Sequence, residues 1–199
     1  MMKKILICLV ICISLFTTLA FSVEVNEENI EIDIEVKKEI DQEYIDNAII
    51  ALKKMKIIIG DEHGNLMLTK KFTRAEFATV IVRLIGKENT EVTNKKINFT
   101  DVNKSFWGYN NIYICVNEGY LIGDGDGKFR PNDYIKYEEV LTILVRLVNK
   151  DNGLTIWPDD YISKAEELQI TKNTDLKVKT ELIREDAFVL IYNCLNIKL

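Results

Sequence analysis

The chain has one histidine and two prolines among its 199 residues. The histidine, His63, lies in a polar stretch with no cysteine or second histidine near it, so a zinc site has no ligand set to use. Serine is scarce, and a lone histidine in a turn is a poor general base, so catalysis is not expected and no cofactor is called for. Cysteine is thin as well. Cys8 and Cys12 fall in the N-terminal apolar run, while Cys115 and Cys194 each sit inside an apolar helical pattern. Two such residues make no disulfide framework and read as small buried hydrophobes. There is no excess of positive charge: 26 Lys and Arg stand against 31 Asp and Glu, a net charge of −5. Nucleic-acid affinity comes mainly from cations meeting phosphate, so that class of partner is excluded. An anionic ligand held by a few placed arginines is not.

Long apolar runs are missing beyond the first 22 residues. Those residues read as a secretory signal peptide. Lys3 and Lys4 form the basic start, Ile5 to Ala20 is apolar apart from Ser14, Thr17 and Thr18, and Ala20 and Ser22 have the small-residue spacing of a cleavage site, with Thr18 and Ala20 as a second option. A retained anchor is the alternative, but the run is shorter than the roughly 20 residues a bilayer requires. Residues 23–42 are acidic with short apolar alternation. They could form a strand, and are expected instead to be a mobile lead-in, since no pairing partner is nearby.

What the chain does have is a repeat. GDEHGNLMLTKKFTRAEFATVIVRL from Gly60 aligns without a gap on GDGDGKFRPNDYIKYEEVLTILVRL from Gly123, 63 residues on. The same shift sets Trp107 on Tyr44, Glu139 on Glu76 and Arg146 on Arg83. Each unit reads as helix, Gly/Asp loop, helix. The first runs over 43–88, the second over 97–150 and a diverged third over 154–199, where Trp157-Pro158-Asp159 is aligned with Phe99-Thr100-Asp101. Thr73 with Glu76 is a capping box, and Gly86 and Gly119 are helix stops. No unit of this size buries both of its helices alone, so an all-α fold of three packed helix–loop–helix repeats is expected.

The loop at Asp124-Gly125-Asp126 fails as a calcium hand. Phe129 stands where glycine is needed and Ile135 where a bidentate glutamate is needed. It also lacks the Gly-Lys-Ser/Thr of a phosphate-binding loop.

Phe99-Thr100-Asp101-Val102, Trp107, GYLIGDGDGKFRPN and FTRAEF together resemble the S-layer homology domain, across about residues 43–197. The resemblance implies a pseudo-threefold helical prism. It also implies a secreted wall-anchoring function, with a secondary cell-wall polysaccharide linked to peptidoglycan held in grooves between repeats, typically through a pyruvate ketal on an amino sugar. Other envelope proteins are the second class of partner, for a module that has partly lost sugar binding and acts in S-layer assembly.

A ketal carboxylate suits an arginine fork beside helix N-terminal donors. Arg74 and Arg184 both open a helix and are the leading candidates, with pairing to nearby carboxylates as the other reading. Gly123 and its fellow loop glycines are expected to let backbone approach a sugar, and Asp124 and Arg130 belong to the same loop. Trp107 is either a sugar platform or a core plug. Thr73 and Glu76 read first as a cap, and Asp101 as a turn cap or arginine orienter. Arg83 and Arg146 precede core leucines and are expected at the surface or in inter-repeat pairs.

The second unit has Lys136-Tyr137 in place of Thr73-Arg74. Lys136 carries charge without the fork, so its groove is expected to be weak. The first unit lacks the Asp101 element, and the third lacks the loop glycines. One or two working grooves are therefore expected, with segment 23–42 the only candidate effector in this sequence.

Overall fold

The computed structural model describes residues 20–22, 35–37, 41–92 and 97–197. The chain divides at residue 39 into two units. In the first, β1 (Ala20–Ser22) pairs antiparallel with β2 (Glu35–Lys37), Phe21 opposite Val36. This corrects the unpaired lead-in at that point. The alternating Ile-Asp-Ile-Glu-Val does pair, with a partner drawn from the segment read as an export signal. The remainder of residues 1–34 lies outside the described residues.

The second unit is helical: α1 (Gln42–Lys54), α2 (Arg74–Leu84), α3 (Tyr109–Asn117), α4 (Tyr137–Leu147), α5 (Asp159–Glu167) and α6 (Arg184–Leu195). Their ends follow from local chemistry. At α2 the Thr73 hydroxyl accepts from Glu76 N–H, and Glu76 Oε2 accepts from Thr73 N–H at 3.0 Å, the expected box. Five helices end in the same turn. In each, a residue at positive φ (Lys56, Gly86, Gly119, Asn149 or Gln169) is followed by an N–H that reaches back to a carbonyl five residues earlier, as Lys87 does to Val82.

Helices pack across the repeats rather than within them: α3 lies on α2, α5 on α4 and α1 on α6. The order is cyclic, and its centre shows why. Phe72, Ile135 and Leu182 each stand two residues before α2, α4 and α6, and all are fully buried. Phe72 N–H donates to Leu182, Leu182 N–H to Ile135 and Ile135 N–H to Phe72, at 2.9, 3.0 and 2.8 Å. Three buried backbone segments thus satisfy one another in a ring. Phe77 and Phe188 meet Phe72 edge to face on either side. Cys115 and Cys194 are free and buried, and burial pushes both thiols up to about 12.

The cyclic order also uses up the helix N-termini. Arg74 and Ala75 N–H donate to Asp133 and Pro131 carbonyls. Tyr137 N–H donates to Thr180, and Arg184 and Glu185 donate to Lys70 and Leu68. Each long loop docks on the helix start of the preceding repeat, and the first loop docks on the third. The expectation that these N–H donors await a ligand is therefore corrected: loop carbonyls already satisfy them.

Candidate functional site

Glu139, Thr142, Ile143 and Arg146 share one face of α4 at helical spacing. Across from them stand Arg74 at the start of α2, the turn Tyr120–Asp124, and Leu154, Thr155, Trp157 and Tyr161 from the third repeat. Together they line a cleft of about 450 Å³, within the range of about 300–1,000 Å³ usual for small-molecule sites. All three repeats contribute to it.

Arg74 is buried. Its Nε donates to Phe129 O at 2.9 Å, its Nη2 to Ile122 O at 3.0 Å, and its Nη1 pairs with Glu139. The guanidinium also lies over the Phe129 ring. Arg74 therefore braces the wall of the cleft, with its charge met by Glu139. Arg146 differs. Its Nη1 donates only to Tyr120 O, at 3.3 Å, its guanidinium stacks over Tyr161, and among the described residues it makes no ion pair. Trp157 is 55% exposed, with Nε1 held on the Thr142 hydroxyl at 3.0 Å, and that hydroxyl in turn donates to Glu138 O. The ring is fixed at one edge and open to solvent.

The same face recurs on the other second helices. On α2 it carries Glu76, Thr79 and Arg83; on α6, Asp186, Val189 and Asn193. The arginine opposite comes in each case from the preceding repeat. Arg184 faces Glu76 at 3.5 Å, whereas the α6 face is met by the repeat that carries Tyr137. This corrects the expectation of a weak groove at the second loop. The missing arginine at Tyr137 belongs to the α6 groove, and the second loop's groove receives Arg74.

On α2, Arg83 is paired with Glu88 at 2.8 Å, Asn111 takes the Thr79 hydroxyl, and Arg184 Nε is buried with no hydrogen-bond partner. Trp107 is 61% exposed, which removes the core-plug reading. On α6 the polar groups bond one another. Asn193 Nδ2 donates to Ile170 and Lys172 carbonyls at 2.8 and 2.7 Å, and Tyr44 OH donates to Asn193 Oδ1 at 2.7 Å. Burial, with Tyr192 adding to it, raises the Tyr44 hydroxyl. Burial chiefly pushes Tyr137 up to about 12, and burial with the neighbouring Glu185 charge pushes Asp186 up to about 6.

Several sequence candidates lie elsewhere. Asp101 accepts from Phe129 and Arg130 N–H at 2.9 and 2.7 Å, so it clamps the loop backbone. Burial opposes its charge, but those donors outweigh it and hold the carboxyl below its ordinary value. The Arg130 side chain is engaged by Asp124 and by Asp126. It lines, with Asp101, a separate shallow cleft. Gly123 does border the main cleft, but a Cβ there would lie 2.4 Å from the Phe99 ring and 2.6 Å from Lys128 O. Packing inside the loop, rather than approach of a sugar, requires that glycine. Thr73 and Glu76 form the cap. Lys136 is exposed and outside the cleft.

Sequence reading passed over Trp157, Thr142, Tyr161 and Arg146. Trp157 sits one residue before the N-cap of α5, as Trp107 does before that of α3. Its counterpart is therefore Trp107, 50 residues earlier, and the alignment with Phe99 is corrected. The spacing 139, 142, 146, repeated at 76, 79, 83, was the signal for the others. Among the described residues, no group of His, Cys, Asp and Glu is arranged to hold a metal ion, and no helix is long and apolar enough to cross a membrane.

Residues 98–141, which include the Asp101 clamp, the second loop and half of α4, match the S-layer homology domain model. The chain belongs to the S-layer homology domain family. Its relatives extend the likeness across most of the helical unit. The "Middle cell wall protein" of Brevibacillus brevis is 28% identical over 157 residues, 78% of this chain and 15% of that protein. The "Cell surface protein" of Thermoanaerobacter kivui is 26% identical over 154 residues, 76% of this chain and 20% of that protein. The "Exoglucanase XynX" of Acetivibrio thermocellus is 26% identical over 169 residues, 75% of this chain and 15% of that protein. The chain thus spans a fifth or less of these relatives. An S-layer homology chain with such relatives is a cell-surface protein, and its S-layer homology repeats serve attachment there.

Proposed function

We propose that the helical unit is a non-catalytic anchoring module that holds a pyruvylated secondary cell-wall polysaccharide, with the α4 cleft as its main binding groove. The observation that carries this reading is the cleft itself, where two arginines and an edge-anchored, open tryptophan converge in about 450 Å³. An indole face suits the apolar face of a pyranose, and a guanidinium suits a carboxylate. The relatives also support a non-enzymatic role. Proteins named for the surface layer and a protein named as a glucanase share the same stretch, so that stretch is not tied to one reaction. Arg184 and Trp107 give the α2 groove a second, similar arrangement.

Co-sedimentation of the purified protein with cell-wall sacculi tests the reading, before and after mild acid removal of pyruvate ketals. Binding to native walls that falls on acid treatment is expected. A protein that stays in the supernatant with native walls would sink the anchor and leave envelope assembly through protein contacts. The α6 face, whose polar groups bond one another, favours that second reading for its own side of the molecule.

A further inference from the structure

Three arginines border the two grooves that resemble binding sites closely enough to compare, and their surroundings are unequal. Arg74 has all three nitrogens engaged and a carboxylate partner in Glu139. Arg83, on α2, spends its charge on Glu88. Arg146, at the position on α4 that Arg83 holds on α2, has one long hydrogen bond, an aromatic shelf and no carboxylate partner among the described residues. The other acidic side chain at this cleft, Asp124, is taken by Arg130.

We propose that Arg146, and not the motif arginine Arg74, receives the carboxylate of the bound sugar, which makes the α4 groove the principal anion site and Arg74 a positioning residue of its wall. The inference rests on the anchoring reading above. An arginine already neutralised in its own wall gains little from a second carboxylate, which would crowd Glu139. An unpaired guanidinium stacked on Tyr161 keeps a free edge for a bidentate contact. Trp157 lies across the same cleft, so a ketal on Arg146 and a ring face on Trp157 define one pose. On α6 the equivalent residue is Asn193, whose amide is consumed by two carbonyls. The cation is thus free on α4, paired on α2 and absent on α6.

The test is calorimetric titration of the full chain with a 4,6-pyruvylated amino-sugar methyl glycoside and with the same glycoside lacking the ketal. The wild type is expected to prefer the ketal. R146Q should weaken ketal binding by about tenfold or more, the usual weight of a charge-assisted contact. It should leave the plain glycoside unchanged, and R146K should recover part of the loss. R83Q should cost less than about twofold, since that charge is already matched by Glu88. Thermal melts confirm that each variant is folded.

The proposal is overturned if R146Q weakens both glycosides alike, if R83Q costs as much as R146Q, or if the wild type shows no preference for the ketal. Sedimentation with sacculi separates the two readings. Wall binding that survives ketal removal keeps the anchor and rejects this assignment, whereas no wall binding rejects the anchor itself.

Discussion

The α4 and α6 grooves are built on the same helix face and differ in what meets it. On α4 the sequence of polar positions is Glu139, Thr142, Arg146, facing Arg74 and Trp157. On α6 it is Asp186, Val189, Asn193, on the side of Tyr137 and Tyr44. In the first, a charge is left over and a tryptophan is half open. In the second, hydroxyl, amide and carbonyl groups satisfy one another, and Val189 replaces the threonine that holds the indole. The comparison teaches that repetition conserves the frame while five substitutions decide between recognition and closure. A buried polar group with its partners in place rigidifies the fold, and one with capacity to spare is available to a ligand.

The largest effect expected is that of Arg74→Ala. It removes the donor for two carbonyls and the counter-ion of Glu139, whose side chain is 22% exposed. A loss of about 2–4 kcal/mol in chemical denaturation is expected, the lower end reflecting that exposure. Wall sedimentation should fall with it. If stability is kept and only binding is lost, Arg74 is a contact residue, and the contrast between the arginines must be redrawn.

Next in size is Asn193→Ala, which acts on the closed groove. It orphans the carbonyls of Ile170 and Lys172 and the Tyr44 hydroxyl. About 2 kcal/mol of stability should be lost, since unmade buried hydrogen bonds cost about 1–3 kcal/mol. Affinity for walls should be unchanged once folding is corrected for. A fall in affinity would mean that the α6 face also binds.

Much of this frame was legible. Thr73 with Glu76 announces a helix start by chemistry confined to four residues, and Gly86 and Gly119 announce stops in the same local way. The ungapped shift of 63 residues correctly equates Leu52 with Cys115, each accepting from the N–H five residues on. The grooves were not legible, because each is assembled from different repeats and sequence order gives no hint that Arg74 serves the second loop. That fact depends on the ring of Phe72, Ile135 and Leu182, a long-range closure. Arg146 was misread for a related reason. Standing one residue before the core Leu147 says that it leaves the core, not that a third repeat will roof it with Tyr161. The strand pairing of Glu35–Lys37 was missed because its partner had been set aside as an export signal.

Trp157→Ala sharpens the comparison from the open side. The ring is 55% exposed, so the melting temperature should hardly move. Wall affinity should fall about five- to tenfold, the scale of one aromatic face contact. Tyr44→Phe at the matching place should do the reverse, costing about 1 kcal/mol of stability with no change in affinity. A Trp157 variant that melts early but still binds walls would make the indole part of the packing.

The smallest effect expected is a pH dependence at Asp186, which stands where Glu139 does but makes no ion pair among the described residues. Burial, with Glu185 adding to it, holds its carboxyl at about 6, above its unfolded value. The folded protein therefore binds this proton more tightly than the unfolded chain does. Below the unfolded value of about 3.9 both states are protonated and there is no penalty. As pH rises from about 4 to 6 the unfolded chain releases the proton first and stability declines, and above 6 the full penalty remains. Asp101 has the opposite sign, since its lowered carboxyl loses stability only as pH falls below about 4. Asp186→Asn should remove the decline between pH 4 and 6 and add on the order of 1–2 kcal/mol at pH 7. Denaturant midpoints across that range measure it. A gain of equal size at pH 4 and pH 7 would show that the side chain acts through packing, and the carboxylate at this position would then carry no charge penalty for the arginine it lacks.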